Sequence, residues 1–498
     1  MDIDHGFAGQ HVPSTLVGRV LQHARRTPDD LALVVGETTH TYAQLAHAIG
    51  SIAAGLRASG LVPGDRVLLK ASSTAGFVAT YLALHAARVI AVPIDPGMPK
   101  ARLDFISSKV AARRIMTELP EPEREMQGQP HSALVDEGTN TAEASEVADI
   151  LFTSGTTGAP KGVILTHGNL VAAADHINDF VGTRKSDVEV LPLPLAHSFG
   201  LGGLRGVLSV GGTVVLVEGF AFPGRIYAAL ETHRATGFRC VAAGLAMMFK
   251  FAPDRLGDFA RQLRYIEIGS APMPVADKLK LMTLLPTSRL CMHYGLTEAT
   301  RSAFIEFHHD RESLASIGRA SSGVQIRVVT EAGSDAAPGM QGELVIRGPH
   351  VTPGYWDDQE RTRAVLSDGW LRTGDIGYAD PQGYLYLAGR KADLINVGGR
   401  KVSPAEVEDA LRSHASVLDC ACTGIVDPGG VSGDAVAVLV LLRDGSQISR
   451  RELRDHLRSR LEPYKLPVKW VFSGTVPRTA NGKIQRHLLR EQLESHAD

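Results

Sequence analysis

The sequence predicts an α/β protein, with a large N-terminal region of mixed β-sheets layered with helices and a small, mobile α+β C-terminal domain. The chain has 498 residues, too many for one hydrophobic core. Short apolar runs alternate with helix-like segments past residue 300, which is typical of helices packed on largely parallel sheets. Beyond a polar joint at 389–393, about a hundred residues have their own βα pattern, near the usual size of a small domain. We therefore predict domains at 1–389 and 390–498.

The first elements can be placed from local signals. Leu31–Val35 is a β-branched, apolar run that predicts a strand, and residues 36–39 predict a turn. Residues 41–44 have the spacing of a capping box and open an alanine- and leucine-rich helix that should end near Gly60. Residues 148–152 and 163–165 predict two further strands, which flank a polar loop.

The C-terminal part carries its own helix signals. Residues 403–406 have capping-box spacing with proline at the first helical position. Residues 449–452 repeat that spacing, and Leu453, Leu457 and Leu461 follow on one helical face. We expect these leucines to belong to the core of the small domain.

Composition excludes several classes of function. Apolar residues make up 44% and charged residues 21% of the chain, and the formal net charge is −2. This balance favours neither nucleic acid nor an anionic membrane surface as a partner. The N-terminus lacks the basic flank and apolar core of a signal peptide, and the most apolar stretch, 206–217, is interrupted by glycines. We expect a cytoplasmic protein with no integral membrane association.

Cysteine usage points to no zinc site and no disulfide framework. The four cysteines include no C-x-x-C pair, and they are Cys240, Cys291, Cys420 and Cys422.

The loop at 153–162, Thr-Ser-Gly-Thr-Thr-Gly-Ala-Pro-Lys-Gly, has the chemistry of a polyphosphate cradle. Its glycines allow close backbone approach to a charged ligand, four hydroxyls can donate hydrogen bonds, and Lys161 adds a positive charge. It is not a Walker loop, because Lys161 follows Pro160 and precedes Gly162. The structural alternative is a solvated turn.

Five further segments carry candidate binding chemistry. Residues 266–272 are a strand that opens into a small-residue turn suited to a flat ring, and residues 292–298 offer an aromatic face, a hydroxyl and a carboxylate. Residues 370–375 end in Asp375, whose carboxylate can accept two hydrogen bonds from a ribose diol. Gly389 and Arg390 lie at the domain joint, and residues 477–483 place Lys483 after a turn.

Together these six segments, in this order and spacing, resemble the adenylate-forming superfamily of acyl- and aryl-CoA synthetases, peptide-synthetase adenylation domains and luciferases. The resemblance covers about residues 15–490. It implies that ATP activates a carboxylic acid as an acyl-adenylate with release of pyrophosphate, and that the acyl group then passes to the thiol of CoA with release of AMP. A carboxylate is a poor electrophile at neutral pH, and the adenylate supplies the leaving group that it lacks.

The resemblance also implies roles for individual residues. The implied catalytic residues are Lys483, Thr297 and Glu298, with Mg²⁺ held by Glu298 and Thr153. Asp375 and Arg390 are implied to hold the ribose, and Lys483 to bridge the acid and the α-phosphate. The full implied ATP- and AMP-binding set is Thr153, Ser154, Gly155, Thr156, Thr157, Gly158, Lys161, Gly269, Ser270, Ala271, Pro272, His293, Tyr294, Gly295, Thr297, Asp375, Arg390 and Lys483.

The resemblance further implies a rotation of the small domain between the two half-reactions. The loop carrying Gly398, Gly399 and Lys401 would then reach the thiol channel. The chain departs from the family at two places. Ala392 occupies the pivot, where the family usually has Asp or Lys, and Met292 replaces a polar amide that often helps to read adenine. We still expect rotation, because a small residue can absorb a change of backbone dihedral.

The acid site is expected to accept an acid that carries no charge apart from its carboxylate. Residues 194–200 hold no carboxylate that could bind an ammonium, and residues 241–244 are small or apolar, which leaves room for an aromatic ring or a medium aliphatic chain. The candidate acid-binding residues are His197, Ser198, Phe199, Ala243, Gly244 and Gly269. Arg301 is a candidate at the rim, either meeting a polar substituent or forming a surface or interface salt bridge.

Two alternatives stay open on the sequence. The same family includes enzymes that load a phosphopantetheinyl carrier protein, such as an acyl carrier protein, instead of CoA. A protein of another class, an ATP-binding sensor or kinase-like phosphotransferase, would release ADP or turn nothing over.

Overall fold

The computed structural model describes residues 14–120, 142–153, 160–427, 434–446, 448–478 and 484–495. Within these ranges there are thirteen α-helices, numbered α1 to α13 in chain order. They span Leu16–Arg26, Tyr42–Ala58, Ala75–Ala86, Lys100–Lys109, His167–Val181, Ser198–Ser209, Pro223–Thr232, Ala242–Phe251, Val275–Leu284, Gln359–Val365, Pro404–Arg412, Arg450–Arg458 and Arg486–Ser495.

The same ranges contain 24 strands, numbered β1 to β24. They span Leu31–Val35, Thr38–Thr41, Arg66–Lys70, Ile90–Ile94, Arg114–Met116, Val147–Thr153, Lys161–Thr166, Val188–Leu191, Thr213–Leu216, Gly237–Val241, Tyr265–Gly269, Arg289–Leu296, Ala299–Glu306, Arg319–Ala320, Gln325–Val329, Gly342–Arg347, Leu366–Ser367, Trp370–Ala379, Leu385–Arg390, Ile395–Val397, Arg400–Val402, Val417–Val426, Asp434–Leu442 and Lys469–Phe472.

Two sheets with parallel cores dominate the N-terminal region, as predicted. A nine-stranded sheet has the order β14-β13-β12-β11-β10-β8-β9-β1-β2, and a five-stranded sheet has the order β5-β3-β4-β6-β7. Strands β8 to β12 pair in parallel, and so do β3 with β4 and β4 with β6. The largest apolar cluster joins these sheets through the helices between them, with Val17 from α1, Val78 from α3 and Leu204 from α6.

A second five-stranded sheet is antiparallel. It contains β15, β16, β18 and β17 in that order, with β19 also paired to β18. Its β18–β19 hairpin turns at residues 380–384, and its register places Asp375 opposite Arg390. The predicted boundary between residues 389 and 390 falls at the end of β19 and stays a prediction.

The C-terminal part is an α+β unit built on a three-stranded sheet, β22-β23-β24. Alternate residues of β23 face opposite sides, with Val438 in the cluster beneath α11 and α12 and Leu439 in the cluster beneath α13. Leu453, Leu457 and Leu461 lie in the first of these clusters, which confirms their predicted core role.

Most local predictions are confirmed, and two are corrected. The capping boxes at Thr41 and Ser449 are both formed. The predicted box at 403–406 is wrong: Ser403 precedes α11, but its hydroxyl donates to the carbonyl of Ala388, a tertiary contact, so it caps nothing. The predicted turn at 36–39 is too long, because Thr38 and Thr39 already pair with β1.

Candidate functional site

The predicted acid and adenine segments begin at one edge of the nine-stranded sheet. Strands β8, β10, β11 and β12 run in parallel, with Val241 opposite Gly269 and Ile268 opposite Met292. The carboxyl ends of these strands therefore meet at the same edge, which is where open α/β sheets usually bind ligands. The ends of these strands are followed by residues 194–200, 242–244, 270–272 and 297–298.

On the β12 side of this edge, a buried tyrosine, a carboxylate and an arginine are joined. The hydroxyl of Tyr294 donates to Asp375 Oδ2 at 2.6 Å, and Arg390 Nε lies 3.0 Å from Asp375 Oδ1. Burial, and then the charge of Asp375, raises the pKa of Tyr294, so the hydroxyl stays protonated and remains a donor. The predicted ribose-binding pair and the predicted adenine-contacting tyrosine are thus held in one place.

The end of β6 and the start of β7 bring in the phosphate-loop residues that the structure describes. Thr153 pairs with Lys161 across the two strands. Ser154, Gly155, Thr156, Thr157 and Gly158 lie outside the described residues. The Lys161 ammonium is 5.6 Å from the centre of the Tyr355 ring, and burial together with the charge of Arg361 lowers its pKa.

Tyr355 connects the phosphate-loop strands to Glu298. Its hydroxyl donates to Glu298 Oε1 at 2.8 Å, and burial followed by the charge of Glu298 raises its pKa. Lys161, Tyr294, Glu298, Asp375 and Arg390 are called the open cluster below. Thr297 lies beside Glu298 in the turn between β12 and β13.

Sequence reasoning missed Tyr355 and the segment that carries it. Residues 351–356 run along β7, where the Ile164 amide donates to the Gly354 carbonyl at 3.0 Å and the Trp356 amide to the Gly162 carbonyl at 2.8 Å. The amide of Thr352 donates to the Glu298 carbonyl at 2.8 Å. The signal in the sequence was the Pro-Gly-Tyr-Trp run at 353–356, a turn followed by two aromatic residues.

The turn after β11 is shaped by small residues. A Cβ on Gly269 would lie 2.0 Å from Cε1 of His293, so only glycine lets that ring pack against the strand. Ser270 follows with a left-handed φ of +74°, and Ala271 and Pro272 complete the turn. Gly295 is equally constrained, because a Cβ there would lie 2.3 Å from the Arg301 amide nitrogen.

Acid-site candidates lie at the starts of α6 and α8. His197 precedes α6, and Ser198 and Phe199 form its first turn, with the Phe199 side chain buried. On α8, Ala243 is exposed, whereas Gly244 is buried. A Cβ on Gly244 would lie 2.5 Å from the Phe220 ring, so Phe220 forms the wall at this point.

The predicted position of Arg301 is wrong in both of its alternatives. Arg301 has no exposed surface, so it lies neither at a pocket rim nor in a surface salt bridge. It belongs to a sealed network with Glu189, Arg239 and Glu267, all of them fully buried. The sequence does carry a signal for this buried network, because β8, β10 and β11 each have one charged residue inside an apolar run.

Thiol-channel and hinge candidates lie close together in the chain. Gly398 and Gly399 form the turn between β20 and β21 with φ of +56° and +82°, a conformation that favours glycine. Lys401 follows in β21, opposite Asn396. Ala392 lies in a 3₁₀ turn directly after Arg390. Lys483 lies outside the described residues.

The side chains of the site suit a magnesium ion that is bound together with substrate phosphates. The described residues contain no group of three or more His, Cys, Asp or Glu side chains that could hold a metal ion. Magnesium used with nucleotides, however, is commonly bound by one or two carboxylates together with phosphate oxygens and water. Glu298 is half-buried and beside the phosphate-loop strands, so a single carboxylate with substrate phosphates fits this mode.

None of the described helices is long and apolar enough to cross a lipid bilayer.

Comparison with known proteins identifies the family of this chain. The family model "AMP-binding enzyme" matches residues 20–356, and the "AMP-binding enzyme C-terminal domain" model matches residues 406–483. A feruloyl-CoA synthase from Amycolatopsis sp. is 31% identical over 491 residues, covering 95% of this chain and 98% of the relative.

Two solved structures are similar over nearly the whole chain. The ATP-bound structure of MatB from Rhodopseudomonas palustris has a TM-score of 0.87 at 26% identity, covering 97% of this chain and 99% of that one. The o-succinylbenzoate CoA synthetase MenE from Bacillus subtilis, in complex with the acyl-adenylate intermediate OSB-AMP, has a TM-score of 0.84 at 27% identity. The match covers 96% of this chain and 98% of that one.

The chain therefore belongs to the AMP-binding enzyme family, and it is an AMP-forming acid–CoA ligase of the acyl- and aryl-CoA synthetase type within the adenylate-forming superfamily.

Proposed function

We propose that this ligase activates an apolar aryl or medium-chain aliphatic acid in a pocket bounded by residues 197–199 and 243–244. The observation that carries the proposal is the meeting of the open cluster and the acid-site segments at one sheet edge. The described residues of that pocket wall include no acidic side chain, and Phe199 and Phe220 give it an apolar surface. The named acids of the two CoA-forming relatives, ferulate and o-succinylbenzoate, both contain an aromatic ring.

Adenylation requires cationic and hydrogen-bond-donating groups around the α-phosphorus. A carboxylate oxygen of the acid attacks that phosphorus, the bond to the β-phosphate oxygen breaks, and pyrophosphate leaves. We assign Asp375 and Arg390 to the ribose, Tyr294 to the adenine face and Thr297 to the α-phosphate. Lys161, with its lowered pKa and its place beside Thr153, is assigned to the outer phosphates.

Lys483 is assigned to the transition state of this first step. Its ammonium would stabilise the negative charge that spreads over the phosphoryl oxygens. Glu298 would hold Mg²⁺ with the substrate phosphates, and the ion when bound would supply further charge stabilisation. Glu298 itself is kept in place by the Tyr355 hydroxyl and by the backbone bond to Thr352.

In the second step the thiol sulfur of CoA attacks the acyl carbon. The bond between that carbon and the AMP oxygen breaks, and the thiol proton is lost to solvent. We propose that Gly398, Gly399 and Lys401 form part of the thiol channel after the small domain rotates about Ala392. The carrier-protein alternative is not favoured, because feruloyl-CoA synthase and the o-succinylbenzoate CoA synthetase both act with CoA by name.

A product screen tests the proposed function. The enzyme with ATP and Mg²⁺ is given ferulate, 2-succinylbenzoate, octanoate, palmitate or acetate, and pyrophosphate is measured with hydroxylamine as trap. We expect release with an aryl or medium-chain acid and, after addition of CoA, equal amounts of AMP and thioester. Release of ADP, or preference for acetate over every larger acid, would contradict the proposal. A parallel reaction with a phosphopantetheinylated carrier protein identifies the preferred thiol.

A further inference from the structure

The sealed network links four strands of the nine-stranded sheet. Glu189 on β8, Arg239 on β10, Glu267 on β11 and Arg301 on β13 have no exposed side-chain surface. Arg239 Nε lies 2.7 Å from Glu189 Oε1, and Arg301 Nε lies 2.7 Å from Glu267 Oε1. Arg239 also pairs with Glu267, so the four charges form one chain of ion pairs.

The network holds two arginines and two glutamates, so its formal charges sum to zero. Burial raises the pKa of Glu267, but the charges of Arg239 and Arg301 outweigh burial and hold that pKa well below its usual range. Buried charges are tolerated when they are paired and hydrogen-bonded in this way. The guanidinium of Arg301 is thus occupied by the protein itself and is not offered to a substrate.

Arg301 also reaches the first turn of α6. Its Nη1 donates to the Ser198 carbonyl at 3.3 Å, and its Nη2 donates to the Phe199 carbonyl at 3.0 Å. The guanidinium carbon lies 4.8 Å from the centre of the Phe199 ring. Arg301 therefore contacts two acid-site candidates: Ser198 through its carbonyl, and Phe199 through its carbonyl and its ring.

Glu267 links the same turn to the strand of the adenine candidates. His293 Nδ1 lies 2.8 Å from Glu267 Oε1, the oxygen that also pairs with Arg301. The His293 ring meets the Phe199 ring edge-on, with ring centres 4.6 Å apart. Phe199 is thereby held between Arg301 and His293, and one carboxylate fixes both of its neighbours.

The backbone around Arg301 is shaped for this contact. Arg301 has a left-handed φ of +55°, which residues with a side chain seldom adopt. A Cβ on Gly202 would lie 2.1 Å from Arg301 Nη1, so glycine at this position leaves room for the guanidinium. Neighbouring Gly203 leaves room for Arg239 instead, since a Cβ there would lie 2.9 Å from Arg239 Cδ.

We propose that Arg301 is a positioning residue that, held by Glu267, fixes the first turn of α6 and so shapes the acid pocket. This positioning stands on the contacts above, and its consequence for acid binding rests on the proposed function.

Two matched glycine substitutions separate positioning from general stability. Gly202→Ala would push the Arg301 guanidinium away from the Ser198 and Phe199 carbonyls. Gly203→Ala makes the same change on the same helix but disturbs Arg239 and the Leu191 side chain, and Arg239 donates to neither carbonyl. Hydrogen–deuterium exchange of residues 194–201 is measured by mass spectrometry. We expect exchange at least ~10-fold faster in Gly202→Ala and within about twofold of wild type in Gly203→Ala.

Steady-state kinetics then measure the consequence with ferulate and octanoate as probes. For whichever acid the wild type uses better, Gly202→Ala should raise the KM for the acid by at least about tenfold, with the KM for ATP changing by less than about threefold. Gly203→Ala should change neither by more than about threefold. A uniform loss of kcat in both variants would mean a merely structural role.

The exchange measurement needs no turnover, so it decides the positioning of the α6 turn even if neither acid is a substrate. Equal exchange in Gly202→Ala and wild type, or equal acceleration in both variants, would overturn the proposal. Faster exchange in Gly202→Ala alone, combined with no activity of the wild type on any acid of the screen, would keep the positioning role and refute the proposed function.

Discussion

The open cluster and the sealed network both gather charged side chains on or beside strands, but they differ in how completely their charges are enclosed. Arg390 of the open cluster keeps 43% of its side chain exposed, and Lys161 and Glu298 are half-buried. In the sealed network every side chain is fully covered and every charge has an opposite charge beside it. The difference teaches that the open cluster can still receive a charged ligand, whereas the sealed network holds the scaffold around it.

Breaking the sealed network should have the largest effect on stability. Glu267→Gln leaves Arg239 and Arg301 with only one buried carboxylate between them, and removing one partner of a buried pair costs about 3–5 kcal/mol. Urea unfolding followed by circular dichroism measures the loss. The matched control is Asp104→Asn, which breaks the exposed pair with Lys100 and should cost at most about 1 kcal/mol. Similar losses in the two variants would remove the distinction between the clusters.

Removing the proposed transition-state cation should slow the first step without unfolding the protein. Lys483→Ala is expected to lower the rate of pyrophosphate release about 10²- to 10³-fold, the usual cost of one preorganised donor. ATP binding, measured by isothermal titration calorimetry, should stay nearly intact, because the other nucleotide contacts remain. Normal pyrophosphate release by this variant would refute the assignment of Lys483.

Two buried histidines outside both clusters predict how the free energy of unfolding depends on pH. Burial lowers the pKa of His350 to about 3 and that of His176, whose ring meets it edge-on, to about 4. In the unfolded chain both titrate near pH 6.5, so as pH falls below 6.5 the unfolded state takes up protons first. These residues therefore destabilise the fold progressively as pH falls from about 6.5 towards 4.

Replacing His350 should flatten this dependence. Between pH 6.5 and 5 a single such histidine accounts for about 1.6 kcal/mol, and His350→Gln should remove most of that change. Urea unfolding at the two pH values measures it. Ile305→Val, which removes one buried methylene, is the control and should lower stability equally at both. An unchanged pH slope in His350→Gln would contradict the assignment.

The smallest expected effect lies in the open cluster itself. Lys161 is partly exposed and faces the Tyr355 ring, an interaction of about 0.5–1 kcal/mol, and it lies next to a glycine-rich loop. Lys161→Met should raise the KM for ATP by about threefold and leave the KM for the acid unchanged. Steady-state assays at saturating concentrations of the other substrate measure both. A tenfold rise in the KM for the acid would place Lys161 in the other half of the site.

The two clusters also differ in how far the sequence could predict them. Asp375, Arg390, Tyr294 and Glu298 belong to short motifs, and the structure brings them to one sheet edge as expected. Glu189, Arg239 and Glu267 are single charges in apolar runs, with Arg239 lying 50 residues after Glu189 and Glu267 a further 28 residues on. Only the strand register, which no local pattern specifies, brings them together.

Tertiary contacts account for the remaining errors. Ser403 has a good capping signal, but its hydroxyl meets the Ala388 carbonyl first. Tyr355 stands near no motif residue in the sequence and reaches Glu298 only because residues 351–356 pair with β7. The open cluster was therefore predictable from motifs, whereas the contacts that support it depended on long-range packing.

The most direct test of the central claim, that the acid itself attacks the α-phosphorus, is an isotope measurement. The acid identified by the screen is prepared with ¹⁸O in both carboxylate oxygens and turned over with ATP, Mg²⁺ and CoA, and the AMP is analysed by mass spectrometry. One ¹⁸O atom should appear in each AMP formed, because the oxygen that joins acyl carbon to phosphorus leaves with AMP. Unlabelled AMP, or label in a released phosphate with ADP as the product, would contradict the account.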